Sequence, residues 1–144
     1  MTETPRTDMR RTEPGQGLLW TLRILSALVL AATGGIHLYL IFTDVGGVLG
    51  VMFLLNGVAG LVLAIAMLVL RGALLRIATV LSLLFLLASL AALLLALTVG
   101  LFGITEVWSF TLVPETVIVE AIGIVVVAIT AAVELRPPRR VATA

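Results

Sequence analysis

Four stretches of this 144-residue chain run for about twenty residues or more with almost no charge, and nothing else restricts its fold as much. A helix needs about 20 apolar residues to cross the hydrocarbon core of a bilayer. Inside that core only helices and closed barrels satisfy every backbone N–H and C=O. The stretches cover about residues 22–42, 48–70, 77–102 and 114–133. A barrel would need alternating strands, and Leu83-Leu84-Phe85-Leu86-Leu87 does not alternate. Composition agrees: 61% of residues are apolar and 12% charged, against roughly 45–50% and about 25% in soluble proteins. One soluble core could not hide that much apolar surface. The expected fold is an all-α membrane protein, with four transmembrane helices in an antiparallel up-down bundle.

The few charges carry the orientation. All nine basic residues are arginines: Arg6, Arg10, Arg11 and Arg23 before the first span, Arg71 and Arg76 between the second and third, and Arg136, Arg139 and Arg140 after the fourth. The connections after spans one and three hold only acids, namely Asp44, Glu106 and Glu115. By the positive-inside bias, both termini and the Arg71–Arg76 loop are expected in the cytoplasm of a plasma (inner) membrane protein. The Thr43–Gly47 turn and the Gly103–Val113 connection then face outward. Trp20 at the inner end, and Tyr39, Phe42, Trp108 and Phe110 at the outer end, suit interface anchors. Residues 1–17 and 137–144 have little to bury and are expected to be disordered cytoplasmic tails, leaving 18–136 as the membrane domain. A cleaved signal fits poorly, because the charged n-region is long and Leu30-Ala31-Ala32 is a weak cleavage site. A net charge of +1 gives no field that would gather nucleic acid.

Small residues at four-residue spacing mark faces where membrane helices approach closely. Ala27, Ala31 and Gly35 form such a stripe on span one; Asn56, Gly60 and Ala64 form one on span two; Ala88, Ala92, Ala96 and Gly100 form one on span three.

Polar side chains within the apolar layer are the candidate functional residues, since each is costly there. Glu120 lies about 9 Å below the outer edge of span four at 1.5 Å per residue, as a site that could bind a cation or carry a proton. His37, the single histidine, lies about 8 Å below the outer end of span one by the same rise. A bond between the two would satisfy both. Asn56 suits a helix-bridging hydrogen bond. Ser82, Ser89, Thr98 and Thr130 are expected to bond back to their own helices. One histidine with scattered carboxylates is too few ligands for a metal, and haem on His37 would need a second axial group. No cofactor is expected.

No Walker loop, nucleophile elbow, zinc-protease pair or dinucleotide fingerprint occurs. The chain has neither lysine nor cysteine, which removes Schiff-base and thiol chemistry. The expectation is a non-enzymatic membrane protein, an accessory or self-associating subunit whose partners are the lipid bilayer and other membrane proteins or itself. The alternatives are a small proton- or cation-coupled carrier using Glu120 with His37, and a haem or redox subunit.

Gly34-Gly35-Ile36-His37-Leu38-Tyr39-Leu40, Phe53-Leu54-Leu55-Asn56-Gly57 and Gly100-Leu101-Phe102-Gly103-Ile104-Thr105-Glu106 stand together with Glu120 in this chain. They resemble uncharacterised small four-helix integral membrane proteins of high-GC actinobacteria, a group of unknown function. The lysine-free, alanine-rich composition suits such a source. The resemblance implies a four-helix plasma-membrane protein and implies no activity. Small multidrug transporters differ, because their membrane glutamate lies in the first span and Glu120 lies in the fourth.

The charge bias makes a direct prediction in this cysteine-free chain. A membrane-impermeant thiol reagent should label Ser109→Cys on intact cells, and Thr7→Cys only after permeabilisation. The reverse pattern would invert the topology.

Overall fold

The computed structural model describes residues 14–43 and 46–136. They form four helices: α1 (Pro14–Ile41), α2 (Gly47–Val69), α3 (Gly72–Thr98) and α4 (Val113–Glu134). Each is long and apolar enough to cross a membrane, as expected of a multi-pass membrane protein. No strand occurs among the described residues, only a single bridge between Leu101 and Ile104. The remainder of the two expected tails, and Asp44, lie outside the described residues.

Helix ends depart from expectation in three places, each for a local reason. α1 begins at Pro14, so residues 14–17, expected as disordered tail, are helical. Proline at a first turn loses no hydrogen bond, and Arg23 does not stop the helix because its charge is used within the fold. Its Nε donates to Met67 O at 2.7 Å, and its Nη2 to Leu68 O at 2.9 Å and Leu70 O at 2.8 Å. These are carbonyls that the end of α2 leaves without helical partners. The Trp20 ring lies 4.9 Å from the same guanidinium, a favourable cation–π contact.

α3 starts at Gly72, ahead of the expected residue 77, so only Leu70 and Arg71 separate it from α2. Gly72 takes a φ of 59° that a side chain would resist. α3 ends at Thr98, short of the expected residue 102. Beyond it Leu101 and Ile104 exchange both backbone hydrogen bonds at 2.8 Å. Phe102 and Gly103 between them have φ of 52° and 78°, the pattern of a type I′ turn. Glu106 N then donates to Ala96 O at 2.9 Å, which folds the connection back over the end of α3.

Contacts run in opposing residue order along each helix pair. Arg23 meets Leu70, Leu30 meets Gly60, and His37 meets Asn56 between α1 and α2. Thr79 meets Glu134, Leu86 meets Gly123, and Ser89 meets Glu120 between α3 and α4. Ser26 and Thr130 join α1 to α4. The four helices therefore close into a ring, whose leanest seam is α2–α3. Fully buried Leu30, Met67, Leu86 and Val127 fill its centre. Leu55, Val62, Ile65, Ile118 and Val125 point outward and are exposed, which is the surface that lipid covers. The buried set also holds Ser26, Thr33, His37, Thr79, Ser82, Glu120 and Thr130. The interior mixes polar with apolar side chains while the outside is apolar, unlike a soluble bundle, whose outside is polar.

The closest backbone approach is between α1 and α2, at Gly60, which the spacing picks out, and at Gly34 and Gly57, which it does not. A Cβ on Gly34 would sit 2.8 Å from Gly57 O and 3.1 Å from Leu61 N, and one on Gly60 would sit 3.0 Å from Gly34 Cα. Gly35, expected on the contact stripe, has nothing within 4 Å. Gly60 and Ala64 are buried as expected. On α3 the stripe does not close against a neighbour: Ala88 is exposed, while Ala92 and Ala96 line a cavity.

Gly34→Ala should destabilise the bundle by about 1–3 kcal/mol, the usual cost of overpacking, when unfolding is followed in mixed micelles. Gly35→Ala should leave stability unchanged or slightly raised. Equal effects at the two positions would contradict the α1–α2 contact.

Candidate functional site

Each of the four helices sends one polar side chain to a common level in the half of the bundle where α1 ends and α2 begins, and the four form a continuous hydrogen-bonded chain. His37 Nδ1 lies 2.9 Å from Thr33 O. A carbonyl only accepts, so Nδ1 carries the proton and Nε2 is left as an acceptor. Asn56 Nδ2 fills that position at 2.9 Å and uses its second proton on Ser89 Oγ at 2.7 Å. Ser89 then donates to Glu120 Oε1 at 2.6 Å. Every side-chain donor of His37, Asn56 and Ser89 is assigned, and the imidazole is neutral in this arrangement. Phe53 stands edge-on to the His37 ring at 5.5 Å and packs its side.

The three candidate residues are thus brought together, but not as the sequence suggests. His37 and Glu120 do not touch; Asn56 and Ser89 stand between them. Asn56 bridges helices as expected. Ser89 does not bond back to its own helix; it is the link between α2 and α4. Thr98 does bond back, to Leu94 O at 2.7 Å. Thr130 bonds back to Val126 O at 2.9 Å and also pairs with Ser26 at 2.9 Å. Ser82 Oγ has no partner among the described residues. A signal for Ser89 existed in the chain: it follows Ser82 by seven residues, as Thr33 follows Ser26, which places polar groups on the inward seam of α3 and α1.

Below this level lies an apolar layer of Leu30, Leu86 and Val127, each fully buried. A second polar layer follows at the other end. Thr79 Oγ1 has its shortest hydrogen bond to Glu134 Oε2, at 2.7 Å, and Arg23 holds the end of α2 nearby. The dry layer separates two polar layers with different work. The lower one pins helix ends. In the upper one Glu120 Oε2 and Thr33 Oγ1 are buried without partners among the described residues, in a region where unpaired polar atoms are uncommon.

A cavity of about 410 Å³ lies above the upper layer, between α2, α3 and the connection to α4. His37, Asn56 and Ser89 form its polar part, with Phe53, Phe85, Leu93 and Phe110 among its apolar walls and Glu106 also facing it. Burial pushes the Glu106 carboxyl above its ordinary value. Phe110, expected at headgroup depth, is half-buried in this wall, whereas Val107 and Trp108 are exposed as an interface requires.

The groups this arrangement offers are a buried carboxyl, a neutral imidazole, an amide and a hydroxyl. Both ring nitrogens of His37 are engaged, so neither can ligate haem without breaking a bond to Thr33 or Asn56. Among the described residues no three His, Asp or Glu side chains gather where they could hold a metal ion. Comparison with known protein families, curated proteins and solved structures finds no match.

Two serines of α3 provide a matched test of the chain. Ser89→Ala should cost about 1–3 kcal/mol, because Asn56 and Glu120 each lose a buried partner. Ser82→Ala removes a hydroxyl without a partner and should be neutral or stabilising. Denaturation of both variants in the same detergent checks the difference, and equal losses would dismiss the chain as an energetic link.

Proposed function

We propose that this chain is a multi-pass plasma-membrane protein that binds a small membrane-soluble molecule in its outer half and moves it in exchange with a proton held on Glu120. The bundle is an antiparallel up-down one, with both termini in the cytoplasm and the cavity toward the outside. It performs no covalent chemistry. One observation carries the reading: the hydrogen-bonded chain drawn from all four helices sits directly against a 410 Å³ cavity and ends on a buried carboxyl.

Each link has a physical role. The apolar walls take up a molecule that already dissolves in lipid, as small-molecule sites commonly do. Asn56 and Ser89 sense its polar end, because a new bond to either must displace one of the existing ones. Any such displacement changes what Glu120 Oε1 is bonded to. The affinity of Glu120 for a proton and that of the cavity for its ligand are therefore linked, and linkage works in both directions. A purely accessory or self-associating subunit requires neither the cavity nor a carboxyl placed beneath it.

Reconstituted in proteoliposomes with an internal pH dye, the wild-type protein should couple uptake of an accepted lipophilic compound to proton movement. Glu120→Gln keeps the size and the bond to Ser89, and should lose the proton movement while still inserting and binding. Proton flux that survives Glu120→Gln would remove Glu120 from the mechanism.

A further inference from the structure

The hydrogen-bond census of the cavity narrows the chemical class of its ligand, on the footing that the cavity binds a small molecule as proposed above. Six polar side chains line it: His37, Asn56, Ser89, Glu106, Thr111 and Thr116. Nearly all of their donors are already spent. His37 Nδ1–H goes to Thr33 O, and both Asn56 N–H groups go to His37 and Ser89. The Ser89 hydroxyl goes to Glu120, and the Thr116 hydroxyl to Leu112 O at 2.7 Å. Only the exposed Thr111 keeps a side-chain proton uncommitted.

Acceptors are left in surplus. Asn56 Oδ1 and the Glu106 carboxylate take no hydrogen bond from any described residue. No arginine lines the cavity, and Phe53, Phe85 and Phe110 add aromatic rings to its wall. A carboxylate or carbonyl ligand would meet acceptors with its own acceptors and leave both sides unpaired, which is costly in an apolar setting. An ammonium group supplies donors alone, pairs with Glu106 or Asn56 Oδ1, and is attracted to aromatic faces. We infer that the cavity takes a lipophilic amine, its apolar body held among the α2–α3 side chains and its protonated nitrogen on the acceptors of Glu106 and Asn56.

Three probes with one ring system and different head groups separate the possibilities: naphthylethylamine, naphthylacetate and ethylnaphthalene. Equilibrium dialysis at neutral pH against the full chain in phosphatidylcholine nanodiscs, with empty nanodiscs as the baseline, measures each. The amine should bind at least about tenfold tighter than the acetate, the weight of one charge-assisted hydrogen bond. Glu106→Gln should erase most of that preference. Glu106 lies in the connection outside the four helices, so this variant keeps the bundle and is decisive even if a cavity-filling one does not fold. Ala92→Phe should weaken all three probes.

Equal binding of amine and acetate, both weakened by Ala92→Phe, would overturn the amine class and leave the cavity as a binding site. A preference that persists undiminished in Glu106→Gln would overturn the placement of the ammonium. No binding of any probe above the empty nanodiscs would overturn the class together with the binding reading itself.

Discussion

A polar group enclosed by lipid has only the rest of its own protein to bond with, and the arrangement of these four helices follows from that restriction. Their outer surfaces are as apolar as the bilayer, so no hydrophobic force tells one helix which face to show another. The selection comes from side chains that cannot be left facing lipid. Arg23 finds the bare carbonyls ending α2. Thr79 finds Glu134, Ser26 finds Thr130, and His37 reaches Glu120 through Asn56 and Ser89. Together these bonds join all four neighbouring pairs of helices, α1–α2 and α3–α4 each at two levels, and they set rotation and register along the whole bundle.

Close backbone contact adds the second element, and its uneven distribution produces the cavity. Gly34, Gly57 and Gly60 let α1 and α2 meet almost without side chains between them. On α3 the small residues Ala92 and Ala96 have no such facing partner and stand back from α2. Small side chains where backbones meet give a tight contact; where backbones do not meet they give volume. Both outcomes occur in this protein, one on each side of α2.

The number of helices and their approximate spans were legible because hydrophobic length over about twenty residues is a strong signal. Depth was legible too: rise per residue put His37 and Glu120 at one level, where they belong to one network. Partner identity was not, because it depends on rotation of each helix about its own axis, and a shift of one residue turns a helix by about 100°. That shift separates Gly35, where an added Cβ would meet nothing, from Gly34, which sits on α2. It also separates a serine that returns its proton to its own helix from Ser89, which does not. Arg23 misled in the opposite way. An arginine reads as the end of a membrane span until the carbonyls that can receive it are in view, and those lie more than forty residues away in sequence.

The staple at Arg23 has a mechanical consequence. Arg23 and His37 stand fourteen positions apart on α1, and Asn56 stands fourteen positions before Leu70, which follows the last residue of α2. The two helices are therefore tied at both ends of equal arms, with glycine contacts between, so that neither sliding nor rolling one past the other spares both ties. On the proposed reading, a molecule that enters the cavity finds the α1–α2 side fixed and the lean seam between α2 and α3 free to give. The α3 side of that seam carries Ser89. On that reading, admitting a guest and loosening the grip on Glu120 are a single movement, and the carboxyl registers an arrival it never touches.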